Sequence, residues 1–207
     1  CGIYRYEPES DSFFRYPPLG NGHSAYVMHQ DRSGNYWIGT WGEGLWQFFP
    51  DALKGGGYYK RREIGKSGSE MVVFSIEQDD TFGYLWMLSY AGLHVFRYTD
   101  KGILEKVDIH DLVDTHMMYT RICEDREGNL WLPSYDMAYT IFFDNSNVDN
   151  YLLPQLKEQM GWDANILNLC QSRDSIMWFR QDRYGLCLYD LSRDRFADSG
   201  LGEVNII

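Results

Sequence analysis

Basic residues are scarce in this sequence. Of 207 residues, 19 are Lys or Arg against 30 Asp or Glu, a formal net charge of −11. A nucleic-acid partner needs a basic face to neutralise its phosphates, so that class is excluded. The same sign argues against direct contact of this segment with an anionic membrane surface. Long apolar runs are also missing, and none approaches the roughly 18 residues that span a bilayer. No basic-then-apolar leader is visible, so any secretion signal is expected to lie outside these residues. Cysteine is sparse, at Cys1, Cys123, Cys170 and Cys187. No Cys-x-x-Cys or Cys/His grouping offers a zinc site. No Ser/His/Asp set, Gly-rich phosphate loop or isolated carboxylate pair stands out from the background of acids. No catalytic residue, metal or cofactor is therefore assigned.

What is present is aromatic. Phe, Tyr and Trp make up 16% of the chain, with 7 Trp and 16 Tyr, which marks it as globular. One pattern recurs four times. The first copy runs from Met28 through Asp31, Gly34-Asn35-Tyr36-Trp37-Ile38-Gly39-Thr40 to Gly44-Leu45-Trp46-Gln47-Phe48. The second runs from Ile76 through Asp79 and Trp86 to Gly92-Leu93-His94-Val95-Phe96. The third is Ile122-Cys123-Glu124-Asp125-Arg126-Glu127-Gly128-Asn129-Leu130-Trp131, and the fourth spans Leu169 to Trp178 and Gly185 to Tyr189. The repeated Trp residues are spaced by 49, 45 and 47 positions. Such a period, with several short apolar runs per unit, implies an array of small sheets.

Each unit divides into extended pieces of alternating, β-branched and aromatic character. A tight turn of Asp-x-x-Gly-Asn type separates the first two, with Asp capping the turn and Gly accepting positive φ. The fold class expected is all-β, a β-propeller of four-stranded antiparallel blades. Blades are placed at about 24–62, 72–108, 118–149 and 165–197, with a partial blade at 1–16 and the first strand of a further blade at 203–207. The chain is thus expected to be a fragment of a larger propeller. Trp37, Trp86, Trp131 and Trp178 are expected to fill the wedges between blades, each N–H reaching a backbone carbonyl. Residues 150–160 read as a short helix or ordered loop, and 110–115 as a similar insert. Cys123 and Cys170 share one slot of neighbouring units. A bridge needs Cβ atoms within about 4.5 Å, so packed free thiols are expected instead.

The repeat closely resembles the two-component regulator propeller repeat, best in residues 28–48 and 122–131. That resemblance implies the extracellular sensor region of a hybrid two-component histidine kinase from gut bacteria. It implies a periplasmic or extracellular location, a homodimer in the full-length sensor, and an oligosaccharide as the signal. The later units depart from the pattern, with Met87-Leu88-Ser89, Leu132-Pro133-Ser134 and Phe179-Arg180-Gln181 where the first has Ile38-Gly39-Thr40.

The loop between second and third strands opens on one propeller face. Four residues past each Trp stand Trp41, Tyr90, Tyr135 and Asp182, with Arg180 and Arg183 nearby. Aromatic rings stack on the C–H faces of sugars, while Asp and Arg satisfy hydroxyls. These six are the candidate ligand-binding residues, set against the plainer reading that the rings pack between loops. Asp31, Asp79 and Asp125 read as turn caps, since a calcium loop needs several oxygens in one short segment. His110 and His116, with Asp108, Asp111 and Asp114, read as a solvated loop. The segment is read as a non-catalytic sensing module. The alternatives are a propeller enzyme (a lyase or glycoside-cleaving protein) and a pure dimerisation or scaffold module.

Overall fold

The computed structural model describes residues 2–20, 24–51, 56–65, 68, 71–99, 104–111, 113–134, 138–142, 147–151, 166–172, 175–181, 185–193 and 195–197. Tyr135, Asp182, Arg183 and the strand expected at 203–207 lie outside this set.

In the first three units an aspartate builds the turn, its carboxylate accepting backbone N–H groups. In the first unit the Asp31 N–H donates to Asn35 O at 2.9 Å, and the Gly34 N–H donates to Asp31 O at 2.9 Å. Gly34 and Gly128 sit at φ of +82° and +84°, where a Cβ would be strained, so Gly is required. The turns fold the flanking runs into antiparallel sheets. A two-stranded sheet of β1 (Tyr4–Glu7) and β2 (Ser12–Arg15) comes first. A four-stranded sheet follows, of β3 (Ala25–Gln30), β4 (Tyr36–Thr40), β5 (Leu45–Asp51) and β6 (Gly56–Arg62). The next holds β7 (Val73–Gln78), β8 (Leu85–Ser89), β9 (Gly92–Tyr98) and β10 (Leu104–Val107). The third holds β11 (Cys123–Glu124), β12 (Leu130–Pro133), β13 (Ala138–Phe142) and β14 (Asn147–Tyr151). The last holds β15 (Ile166–Gln171), β16 (Ile176–Gln181), β17 (Gly185–Asp190) and β18 (Arg195–Ala197). Strand order within each sheet follows the chain, as in a propeller blade. Asn150 and Tyr151, expected to open a helix or loop, instead finish β14, and the rest of that expected element, 152–160, lies outside the described residues.

The first strand of one sheet packs on the first or second strand of the sheet before it, β7 beside β3 and β4, and β15 beside β12. The Trp rings fill these joints. Trp37 packs with Val73, Ile76, Leu85 and Met87 of the next sheet. Trp86 packs with Ile122, Leu130 and Leu132. Trp131 packs with Leu169, Met177 and Phe179. Each of these three is at most 2% exposed, and burying so large a ring contributes about 3 kcal/mol or more. Trp178, by contrast, is only half-buried among the described residues. Of the insert expected at 110–115, His110, Asp111 and Thr115 lie in turns, and Val113, with Ile109 before it, joins the core around Trp86.

The indole N–H does not reach a backbone carbonyl. It donates to the turn carboxylate of its own unit: Trp37 to Asp31, Trp86 to Asp79 and Trp131 to Asp125, each at 2.8 Å. The physical reason is proximity. The turn places the carboxylate directly over the second strand, where a charged acceptor makes a stronger bond than a carbonyl. The fourth unit has Ser172 there, whose hydroxyl donates to Ile176 O.

A second repeated bond crosses the joints. The residue after each turn Asp donates its N–H to the side chain that ends the next sheet's first strand. Arg32 donates to Gln78, Asp80 to Glu124 and Arg126 to Gln171, at 2.9, 2.5 and 2.7 Å. Arg32 and Asp80 also form an ion pair.

Candidate functional site

The site begins with a defect in strand pairing. In three of the first strands the register slips by one residue: between Ala25 and Val27, Val73 and Ser75, and Ile166 and Asn168. The extra residues are Tyr26, Phe74 and Leu167. A bulge re-aims the side chain it carries, and all three line one cavity of about 340 Å³. Thr120 holds the corresponding place in the third sheet and lines it too; its N–H is anchored to Pro133 O at 2.7 Å and its hydroxyl donates to Ile166 O at 2.7 Å.

Trp41, Tyr90 and Arg180 open onto the same cavity. The Trp41 ring lies 5.4 Å from Tyr90 at 83° and 5.6 Å from Tyr26 at 51°. Tyr90 in turn lies 5.7 Å from Phe74. Tyr26, Trp41 and Tyr90 are 59%, 51% and 47% exposed. The rings thus touch one another while about half of each surface stands open. The structure therefore gathers three of the six sequence candidates. It adds Tyr26, Phe74, Arg121 and Asn168, which sequence reasoning missed. The signal for Tyr26 and Phe74 was an aromatic eleven or twelve positions before the Trp in the first two units; Arg121 and Asn168 carried none.

Tight packing supports this rim. A Cβ on Gly39 would meet Val27 Cγ1 and Val73 Cγ1 at 2.6 Å and Val73 O at 2.8 Å. The next residue in each unit is polar and buried, at Thr40, Ser89, Ser134 and Gln181. Thr40 donates to Gly44 O at 2.8 Å, and Ser89 lies 2.9 Å from His94 Nε2. These bonds hold the loops that carry Trp41 and Tyr90.

Deeper along the first strands, each Trp faces one residue across the sheet: His29, Glu77, Cys123 and Cys170. His29 Nδ1 is 3.6 Å from Glu77 Oε1. Burial lowers the His29 pKa and raises that of Glu77, so both tend toward neutrality. Burial likewise pushes the thiols of Cys123 and Cys187 up to about 12. Cys123, Cys170 and Cys187 are all free, and Cys170 is exposed rather than packed. Among the described residues no group of His, Cys, Asp or Glu is arranged to hold a metal ion. His110 pairs with Asp108 at 2.6 Å on an exposed loop. A larger hollow of about 460 Å³ beside Arg61, Arg62 and Met71 contains none of the sequence candidates. No helix among the described residues is long and apolar enough to cross a membrane.

Residues 18–42 match the family model of the two component regulator propeller. Among curated proteins nothing matches. Among solved structures, the chain is similar to the extracellular domain of BT3049 from B. thetaiotaomicron, described as a hybrid two component system, at 17% identity and a TM-score of 0.66. That likeness covers 93% of this chain and 25% of the other. It is similar to the extracellular domain of BT4673 from the same organism, at 17% identity and a TM-score of 0.66, covering 95% of this chain and 28% of the other. It is similar also to virginiamycin B lyase from Staphylococcus aureus, at 13% identity and a TM-score of 0.63, covering 91% of this chain and 59% of the other. These likenesses establish the propeller fold, and the chain spans about a quarter of the length of the two extracellular domains.

Proposed function

We propose that this propeller is the non-catalytic, ligand-sensing part of a hybrid two-component sensor, facing the periplasm or the cell exterior and responding to an oligosaccharide. The supporting observation is the cavity at the rim, where the half-exposed rings of Tyr26, Trp41 and Tyr90 stand together. The matched repeat and the likeness to two extracellular domains support the sensor class. Tyr135, Asp182 and Arg183 are proposed to complete the site. Ligand would bias the arrangement of two protomers through unequal affinity for the two arrangements, and the difference would reach a kinase elsewhere in the protein. Calorimetry of the chain against a panel of oligosaccharides tests the binding step. Binding that Trp41→Ala or Tyr90→Ala weakens about tenfold or more supports it, since stacking on one ring is worth about 1–2 kcal/mol. A panel in which no sugar binds would sink it.

A propeller enzyme is the second reading, favoured by the His29–Glu77 pair and by the likeness to a lyase. The pair occupies the slot held by Cys123 and Cys170 in the other units, which is a place for packing opposite the Trp. An ultraviolet assay for unsaturated sugar product separates the two readings: turnover abolished by His29→Ala would favour the enzyme.

A further inference from the structure

We infer that the rim cavity takes an acidic sugar, a ring bearing a carboxylate or sulfate, stacked on Trp41 and Tyr90 with its anionic group held by Arg121 and Arg180. The inference rests on the ligand-binding reading above and adds the chemical class.

The cavity is divided in two. Sheets one and two supply its aromatic half, through Tyr26, Trp41, Phe74 and Tyr90. Units three and four supply all of its charge, through Arg121 and Arg180, with Asn168 and Thr120 and the apolar Met118, Tyr119 and Leu167 beside them. Asn168 and Arg180 face each other across β15 and β16. Arg121 holds in the third unit the place that Asn168 holds in the fourth, two residues before the slots of Cys123 and Cys170. Two guanidinium groups from neighbouring sheets thus reach one opening.

Charge makes the arrangement selective. The chain carries a net charge of −11, yet the charged side chains among the described lining residues are both arginines. Both are exposed, and among the described residues neither forms an ion pair with a carboxylate. The Arg121 charge is felt by Glu77, yet an exposed guanidinium keeps a planar fork matched to carboxylate or sulfate oxygens. The Asn168 amide offers donor and acceptor to a hydroxyl. A neutral sugar would use the rings and leave both forks to water. An acidic sugar uses both halves.

The test is calorimetry of the full chain at low ionic strength with three tetrasaccharides of similar length: a galacturonate (carboxylate only), a sulfated carrageenan (sulfate only) and a neutral galactan. At least one anionic probe should bind about tenfold more tightly than the neutral one, and that advantage should shrink with added salt. Arg121→Gln and Arg180→Gln should each weaken the anionic probe by about 10- to 100-fold and leave any neutral binding unchanged. The preferred probe identifies carboxylate or sulfate. Equal affinity for neutral and anionic probes, or anionic binding indifferent to both substitutions, would overturn the acidic class and leave the ligand-binding reading standing. Failure of all three probes would overturn both. Thermal melts of the two variants should match the parent, because both side chains are exposed.

Discussion

Replacing Asp79 by Asn should cost this protein about 1–3 kcal/mol, and replacing it by Ala about 3–5 kcal/mol. The reasoning starts from a carboxylate with no exposed surface. Its Oδ1 accepts from the N–H groups of Phe82 and Gly83 at 2.5 and 3.2 Å, and its Oδ2 from Tyr84 N–H and Trp86 Nε1–H at 2.9 and 2.8 Å. Asn keeps one acceptor for the turn and puts an NH₂ group against the remaining donors, leaving a buried N–H unmet. Ala removes every acceptor at once. Against a total stability of about 5–15 kcal/mol, the Ala variant should unfold at markedly lower urea. The assay is urea denaturation followed by circular dichroism, on Asp79→Asn, Trp86→Phe and the double variant. Trp86→Phe deletes the indole donor, so the Asn substitution should cost about 1 kcal/mol less in that background. Additive costs, or an Asn variant within about 0.5 kcal/mol of the parent, would refute the view that the carboxylate and indole form one unit.

Glu124 holds a slot that is Gln in the other three units, at Gln30, Gln78 and Gln171. Burial, then the nearby Asp79 charge, pushes its pKa up to about 7 from 4.5. Below about pH 4.5 it is protonated folded or unfolded; between there and 7 only the fold holds the proton. Stability should therefore fall as pH rises through that window, by about 1 kcal/mol once solvent screening is allowed for. Glu124→Gln should remove this loss, with a melting gain above pH 7 that vanishes near pH 4.5; a gain independent of pH would count against the assignment. Gly39→Ala should lower stability by about 1–3 kcal/mol, because its Cβ would strike Val73 O at 2.8 Å; an unchanged melting temperature would contradict that. In the native state a thiol reagent should label Cys170 before Cys123 and Cys187, both raised to about 12, which should wait for unfolding; equal native labelling of these three would contradict the burial.

The repeat was legible because its strongest signals are local. Trp follows the turn Asp by six residues in the first and third units, and turn and strand both reside in that short stretch. The indole acceptor escaped notice because sequence shows that the two residues are near but not which atoms meet. The Gln/Glu slot escaped because its partner lies one unit back, 46 positions away for Arg32 and Gln78. The rim was half legible. Counting past each Trp finds Trp41 and Tyr90, since loop position is conserved by spacing within a unit. Tyr26, Phe74 and Leu167 owe their direction to a register slip, and strict alternation assigns them to the opposite side. Arg121 joins Arg180 only through the packing of separate sheets, which no local pattern records.

The indoles at 37, 86 and 131 all lean the same way, each onto strands encoded downstream. During synthesis a finished unit must therefore wait, its largest apolar ring bare to water, until the ribosome has delivered the next 45 or so residues. Newly made chain is most adhesive at its latest unit, and a pause between units is where aggregation or a chaperone would intervene.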